Sequence, residues 1–433
     1  MPELPEVEAS RAVLEAHCAG EKIETAITVE GGGGPREGEF DSIVFDDGEA
    51  TAPSIAKALE GKRLVEIRRR GKQLWLVLSS PPHLLAHFGM TGAFVVRGVA
   101  PLQFQEFKVH DEVWPPRFCK MELGFEKGTS LAFCDPRRLG RLRLRADPLH
   151  EDPWRSLAPD PLVDTIDAVR WAEVIGSKGC PIKALLLDQQ ALVSGVGNWV
   201  ADEVLFHAGL HPEAICRSLT AAQLEQLRAS LLHIIGVAVQ CGADAKGFPS
   251  DWLFHYRWGK GAKNGAIVPG ERGGAITFLT VGGRTSAVVL SRQKKGEGKV
   301  GEGAGKAGAG SGRGGAAAGK TSGKAPKKAP KAAAAAADAD AAEAAVDAAA
   351  TDAAAAASGG KRLGGKAAEK TATKGASADV AEVEEPTVGG GRRKKRAAAA
   401  QAAAPGGTSD LERELVVQWQ CEREGKRARR DGL

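Results

Sequence analysis

The chain changes its hydrophobic rhythm twice. Between positions 63 and 78 the string RLVEIRRRGKQLWLVL alternates apolar and polar residues on either side of Arg70 and Gly71, which predicts two short strands around a turn. Residues 84–97, 119–123, 130–133 and 140–144 have the same character and are predicted strands, with a helix expected at 10–19. The first half is therefore mainly β. From 164 to 240 the period lengthens, and AVRWAEVIG, PIKALLLDQQALV, GNWVADEVLFHAGL and AAQLEQLRASLLHIIGVAVQ all carry helical spacing, so the second half is mainly α. Prolines at 148, 153, 159 and 161 separate the two and suit a hinge, because proline removes a donor and fixes its backbone outside regular elements. Two lobes on a hinge leave a cleft between them.

After about residue 293 the pattern stops. GEGKVGEGAGKAGAGSGRGG gives way to Lys/Pro/Ala stretches and then to an alanine tract around Ala332 to Ala357. So few aromatic or branched apolar residues remain that burial cannot offset the roughly 1–2 kcal/mol per residue of backbone ordering entropy. Residues 294–433 are expected to be a disordered tail, with at most local helix in the alanine tract. With 55 glycines and an aromatic content of only 5% in a chain of 433 residues, part of the chain cannot build a core.

Charge adds little by itself. Lys+Arg 59 against Asp+Glu 54 gives a net charge of +5, too small an excess to establish a nucleic-acid partner. No run of 18 apolar residues and no signal-peptide pattern appear, so a soluble intracellular protein without a membrane span is expected. The seven cysteines, at 18, 119, 134, 180, 216, 241 and 421, never form a C-x-x-C pair, which points to neither a disulfide framework nor a four-ligand zinc site.

The start, MPELPEVE, carries candidate chemistry. Methionine before proline is normally removed, which would leave Pro2 as a secondary amine. An α-amine titrates near 7.7–8.0 against about 10.4 for lysine, so a useful neutral fraction exists at physiological pH. Attack of such an amine on C1′ of a deoxyribose gives a cationic iminium that acidifies the C2′ proton and opens the way to loss of phosphate. Glu3 is placed to move the protons this requires. The plainer reading is that Pro2 sets processing and that Glu3 and Glu6 are first-turn acids of a helix.

The full string MPELPEVEASR, with RRRGKQLWL at 68–76, HFGMTGAF at 87–94, CDPRRLG at 134–140, IKALLLDQ at 182–189 and SGVGNWVADEVLFHAGLHP at 194–212, resembles the formamidopyrimidine-DNA glycosylase family over residues 2–293. The start is unlike that of endonuclease VIII relatives. FPSDWLFHYRWGKG followed by ITFLTVGGRTSAV, without cysteines, is similar to the zincless finger of the plant form. The resemblance implies an α+β fold: an N-terminal β-sandwich lobe with an N-terminal helix (1–146), a hinge (147–161), a helix-two-turn-helix domain (162–242), a zincless-finger hairpin (243–293) and the tail.

The resemblance also implies roles for single residues. Pro2 and Glu3 would be catalytic, Lys72 would lie near the reacting sugar, and Arg284 would grip the phosphates flanking the lesion with its planar fork. Locally, Lys72 reads equally as a solvated charge in a turn and Arg284 as an ordinary hairpin arginine. Asn198 opens a helix, where its side chain would cap the helix or bind phosphate. Met90, Arg137 and Leu139 match the trio that fills the gap left by an extruded nucleotide, although a phenylalanine is common where Leu139 stands. On pattern alone Met90 and Leu139 would be core residues. Arg138 and Lys183 are weaker candidates for phosphate contacts. The chain from Gln240 runs almost directly into the finger, which implies a shortened lesion lid and a preference for formamidopyrimidines and further-oxidised guanine over 8-oxoguanine. The Gly31–Gly34 run and the acidic stretch from Glu37 to Glu49 read as a surface insertion with no assigned chemistry.

The expected function is thus a bifunctional DNA glycosylase and abasic-site lyase working by β,δ-elimination, monomeric, without metal or cofactor, on double-stranded damaged DNA. A noncatalytic chromatin or damaged-DNA binding protein and an endonuclease VIII-type oxidised-pyrimidine glycosylase are the alternatives. Basic clusters at 392–396 and 426–430 read as nuclear localisation signals or nonspecific DNA contacts, and a nuclear location is expected.

Overall fold

The computed structural model describes residues 2–102, 112–258, 260, 266–271 and 273–295. The expected tail lies outside the described residues from position 296 onward. The ordered region reaches slightly past the predicted limit, since Lys294 donates its N–H to the Gly209 carbonyl at 3.0 Å and its own carbonyl accepts from His211 at 2.9 Å.

The first helix, α1 (Leu4–Cys18), starts six residues before its expected position. Glu3 is its N-cap, Glu6 completes a capping box and Pro5 sits in the first turn, so the acidic, proline-containing start is itself the helix signal. Leu4, Val7, Leu14 and Cys18 fall on one face and are buried.

Eight strands form two four-stranded antiparallel sheets: β1 (Ile23–Ile27), β6 (Cys119–Phe125), β7 (Ser130–Cys134) and β5 (Ala93–Val96) in that order, and β2 (Leu64–Arg70), β3 (Gln73–Leu78), β4 (His83–His87) and β8 (Arg141–Arg145). Ile23, Met121, Leu123 and Phe133 of one sheet share a core with Ile67, Leu74, Leu76 and Leu84 of the other, closed at its rim by α1 and by α2 (Ala52–Leu59). The lobe is a β-sandwich, as expected. The stretch read as a single strand at 84–97 is two, β4 and β5, which belong to different sheets. The chain turns between them at Gly89, whose φ is +59° and against which the Leu139 carbonyl carbon packs so closely that a Cβ would lie 2.3 Å away. Short β1 and α2 were not legible, because neither carries a long enough periodic run.

Strand β3 is buried on both faces. Leu74, Leu76 and Leu78 face the sandwich core, whereas Trp75 packs with Leu85 against Trp154 of the proline-rich segment, ring centroids 5.4 Å apart. The hinge region is therefore docked onto the sandwich rather than loose.

The helical lobe contains α3 (Ala168–Gly176), α4 (Ile182–Leu187), α5 (Asn198–His207) and α6 (Ala221–Gln240). α5 runs through the middle, with every residue from Trp199 to Phe206 buried. A small antiparallel sheet follows, β9 (Ile267–Val268), β10 (Gly274–Val281) and β11 (Arg284–Val289), in the order β11-β10-β9. Two carboxylates on α5 hold this sheet and the preceding turn. Asp202 Oδ2 accepts from the Ala287 amide at 3.0 Å, and Glu203 accepts from the Leu253 and Phe254 amides at 3.0 and 2.7 Å.

Candidate active site

Glu3 joins the start of α1 to the start of α5. It is 2% exposed, and its carboxylate accepts three backbone N–H groups at the start of α5: Gly197 at 2.8 Å, Trp199 at 2.8 Å and Val200 at 3.0 Å. The fit depends on glycine at 197, where a Cβ would lie 2.3 Å from the Glu3 carboxyl carbon. The Leu4 amide donates to the Gly195 carbonyl at 3.0 Å, so the buried Pro2–Leu4 segment lies along the SGVG loop. Glu6 completes the arrangement, taking the Glu3 N–H at 3.0 Å on one oxygen and the Trp199 indole N–H at 2.9 Å on the other. Burial raises the Glu3 carboxyl above its ordinary range, against the opposing pull of Lys72 and of the Trp199 and Val200 amides. A carboxyl raised by burial holds a proton more readily than an exposed one, as a group that passes protons to and from a sugar must.

Lys72 reaches this junction because the β2–β3 hairpin is fixed to the hinge. Asp160, fully buried, accepts the Gly71 amide at 2.6 Å and the Leu162 amide at 2.8 Å, and pairs with the guanidinium of Arg69. Arg69 in turn binds Glu8 of α1 at 2.7 Å. Strand, hinge and first helix thus meet in one buried ion cluster directly beneath the turn. Lys72 is 8% exposed, and its charge is felt both by Glu3 and by His87 at the end of β4. It is therefore not the solvated turn lysine of the plainer reading.

His87 accepts the Gly89 amide on Nδ1 at 3.1 Å, which leaves the ring proton on Nε2. Burial, followed by Lys72, Arg143 and Arg141, pushes its pKa down to about 3, so the ring is neutral at physiological pH. Gly89 leads into Met90, and the backbone contact between Gly89 and Leu139 brings the HFGM turn and the CDPRRLG loop together. Met90, Arg137 and Leu139 are all half-buried, which sets aside the reading of Met90 and Leu139 as core residues. The Arg137 guanidinium takes no partner among the described residues, while its amide donates to Asp135 Oδ1 at 3.2 Å.

Arg138 departs from its expectation as a phosphate contact. With φ at +56° it turns inward and makes a bidentate pair with Asp41, at 2.7 and 3.0 Å. Asp41, 1% exposed, also meets Lys120 at 3.2 Å, and Lys120 pairs with Glu30. The acidic insertion that showed no chemistry in the sequence is accordingly a brace behind the CDPRRLG loop.

Lys183 is a second departure. It is fully buried, and its ammonium donates to Asp202 Oδ1 at 2.7 Å, Ser286 Oγ at 2.7 Å and the Thr285 carbonyl at 3.2 Å. Three donors are satisfied by three acceptors, which leaves none for a phosphate. Its role is to tie α4 to α5 and β11, next to the Gly282–Gly283 turn that presents half-buried Arg284. Asn198 is the first residue of α5 and not its cap, since Glu3 takes the free amides instead. The half-buried Asn198 has its Oδ1 without a hydrogen-bond partner among the described residues. Asp160 and Asp202 were not singled out in the sequence, Asp41 was read only as part of the acidic insertion, and Glu6 only as a first-turn acid of a helix.

Residues 1–142 match the formamidopyrimidine-DNA glycosylase N-terminal domain, and residues 157–250 match the formamidopyrimidine-DNA glycosylase H2TH domain. A formamidopyrimidine-DNA glycosylase of Arabidopsis thaliana is 40% identical over 299 residues, covering 68% of this chain and 71% of that protein. The chain belongs to the formamidopyrimidine-DNA glycosylase family. A relative from Cereibacter sphaeroides strain KD131 is 36% identical over 247 residues, 57% of this chain and 81% of its own. Among solved structures, the MutM (Fpg) protein of Thermus thermophilus superposes with a TM-score of 0.52 at 30% identity, and the Lactococcus lactis enzyme bound non-covalently to DNA containing an abasic site does so with 0.52 at 25%. Each covers 68% of this chain and 100% of its own. Membership of this family fits the α+β lobes described above and gives the Glu3 junction a chemical context.

Proposed function

We propose that the chain excises oxidised purines from double-stranded DNA and then cuts the abasic strand, as a monomer. The observation that carries this reading is the Glu3 carboxyl, buried against the start of α5 beside Pro2 and within the field of Lys72. Once Met1 is removed, the Pro2 nitrogen attacks C1′ of the damaged nucleotide, the base leaves with a proton, and an iminium remains between Pro2 and the opened sugar. Glu3 relays protons to and from that sugar. Loss of the C2′ proton expels the 3′ phosphate and a second elimination expels the 5′ phosphate, after which water releases the sugar fragment and restores the amine. Lys72, Arg284 and Asn198 hold phosphates on either side, and Met90, Arg137 and Leu139 fill the vacated place in the base stack. Of these, Leu139 stacks less well than an aromatic ring, so discrimination of the opposite base is weaker than with phenylalanine.

Untagged protein incubated with a duplex carrying one abasic site and then reduced with borohydride tests this. A stable adduct that maps to Pro2 and is lost in Pro2→Gly supports the reading. Binding without any adduct overturns it and leaves a noncatalytic damage-binding protein. The short connection from Gln240 to the finger supports faster excision of formamidopyrimidines and further-oxidised guanine than of 8-oxoguanine. Equal single-turnover rates on matched duplexes would reject that ranking. The basic clusters at 392–396 and 426–430 support a nuclear location, which a fluorescent fusion with and without them will test.

A further inference from the structure

Cys180 and Cys216 are separated by 36 positions, yet the fold sets their sulfurs 4.0 Å apart. Cys180 precedes α4 and Cys216 opens the turn after α5. The two segments run antiparallel through a bridge between Pro181 and Ile215, with the Ile182 amide donating to Ala214 at 2.8 Å and the Cys216 amide to the Cys180 carbonyl at 3.1 Å. Residues facing one another across antiparallel segments have Cα atoms about 4.5–5.5 Å apart, inside the usual span of a disulfide. The two thiols differ in access: Cys180 is partly exposed, whereas Cys216 is 1% exposed. Burial, reinforced by the neighbouring Cys180, pushes the Cys216 thiol up to about 12, so it stays protonated and is slow to meet an oxidant directly.

We propose that Cys180 and Cys216 form a reversible peroxide-oxidised pair, in which Cys180 is the reacting thiol and Cys216 the resolving one. The Cys180 sulfur attacks hydrogen peroxide, the O–O bond breaks, and Cys180 sulfenic acid and water result. The Cys216 sulfur then attacks the Cys180 sulfur, an S–S bond forms, the S–O bond breaks, and the departing hydroxide takes the Cys216 proton as water. Two thiols and one peroxide give one disulfide and two waters. The bond traps Cys180 before a second peroxide carries it to the irreversible sulfinic acid, a useful property in a protein whose substrates arise under oxidation.

The test uses the full-length reduced protein, exposed to hydrogen peroxide, alkylated, and digested with trypsin without reduction. The expected product is residues 179–183 joined to residues 184–217, lighter by two hydrogens than the sum and separated by dithiothreitol. In Cys216→Ser the bond is absent and Cys180 advances to sulfinic acid at peroxide concentrations that leave the wild type at the disulfide. The proposal is overturned if wild-type Cys180 accumulates sulfinic acid or an intermolecular dimer without the internal bond. It is equally overturned if both thiols remain alkylatable while other cysteines oxidise. Both of these outcomes are read on the unaltered protein and do not depend on a variant folding.

Discussion

The carboxylate of Glu3 accepts the Trp199 amide at 2.8 Å across 196 positions of sequence, and so closes the start of a helix that has no side-chain cap of its own. The same group is thus a structural cap between lobes and the proton-moving acid of the proposed reaction. The two roles separate in Glu3→Gln, which keeps one oxygen as an acceptor but turns an NH2 group toward amides that also donate. We expect a loss of stability of about 1–3 kcal/mol from the unmatched donors, retained binding of abasic duplex, and single-turnover excision lowered by about 10²–10⁴. Excision at the wild-type rate would leave Glu3 as a cap alone.

The sequence offers Lys183 as a weaker candidate for a phosphate contact. Its burial against Asp202 predicts a different phenotype. In Lys183→Met the carboxylate keeps Arg257 at 2.8 Å and the Ala287 amide at 3.0 Å but loses its closest cation. Unfolding free energy should fall by about 3 kcal/mol, the usual consequence of breaking a buried pair. The slope of log affinity against log salt should not change, whereas loss of a phosphate contact lowers it by about one. Titrations of the folded variant at several salt concentrations distinguish the two.

These two residues mark what the sequence reveals and what it withholds. Helices α3 and α6 and the β2–β3 hairpin were legible to within a residue or so, since their apolar period is long and their ends carry Asp167, Thr220 and the Arg70–Gly71 turn. Pro2, Glu3 and Lys72 stood out because their chemistry is local and their strings are specific. Charges buried by tertiary partners were not legible. Arg138 and Lys183 read as surface cations because Asp41 and Asp202, 97 and 19 positions away, have no periodic or motif signal that announces them. The cysteines behave alike, for the 180–216 pair is created by an antiparallel bridge that no spacing rule encodes. Sequence pattern reports the faces of single elements, whereas buried ion pairs report how elements meet.

The Asp41–Arg138 pair gives the insertion a measurable function. Burial alone would raise Asp41, but the hydrogen bonds and charges of Arg138 and Lys120 outweigh it and hold the carboxyl at about 2, against 3.8 unperturbed. A carboxyl depressed on folding stabilises the native state above its unfolded value, and that contribution is lost as pH falls toward the folded one. The stability difference between wild type and Asp41→Asn should therefore be full at pH 5 and shrink as pH falls from about 4 toward 2. Denaturant titrations across that window measure it. The same variant frees Arg138 and loosens the loop bearing Arg137 and Leu139, so excision opposite different bases should become less selective at pH 7. A pH-independent stability gap would show that the pair carries no net charge interaction.

His87 reports on Lys72 directly. Its pKa of about 3 is set first by burial and then by Lys72, with Arg143 and Arg141 adding to the effect. Removing one positive neighbour makes protonation easier, so Lys72→Ala should move the His87 titration upward, toward but not reaching the ordinary 6.5, because burial and the two arginines remain. Since a histidine depressed on folding costs stability as pH drops below its unfolded value, the variant should also lose less stability than wild type between pH 6.5 and 3. Proton NMR of the histidine C2–H resonances, assigned with His87→Gln, follows the titration through that range. An unchanged midpoint would place the Lys72 ammonium too far from β4 to act on the turn that carries Met90, and would count against the role proposed for it beside Glu3.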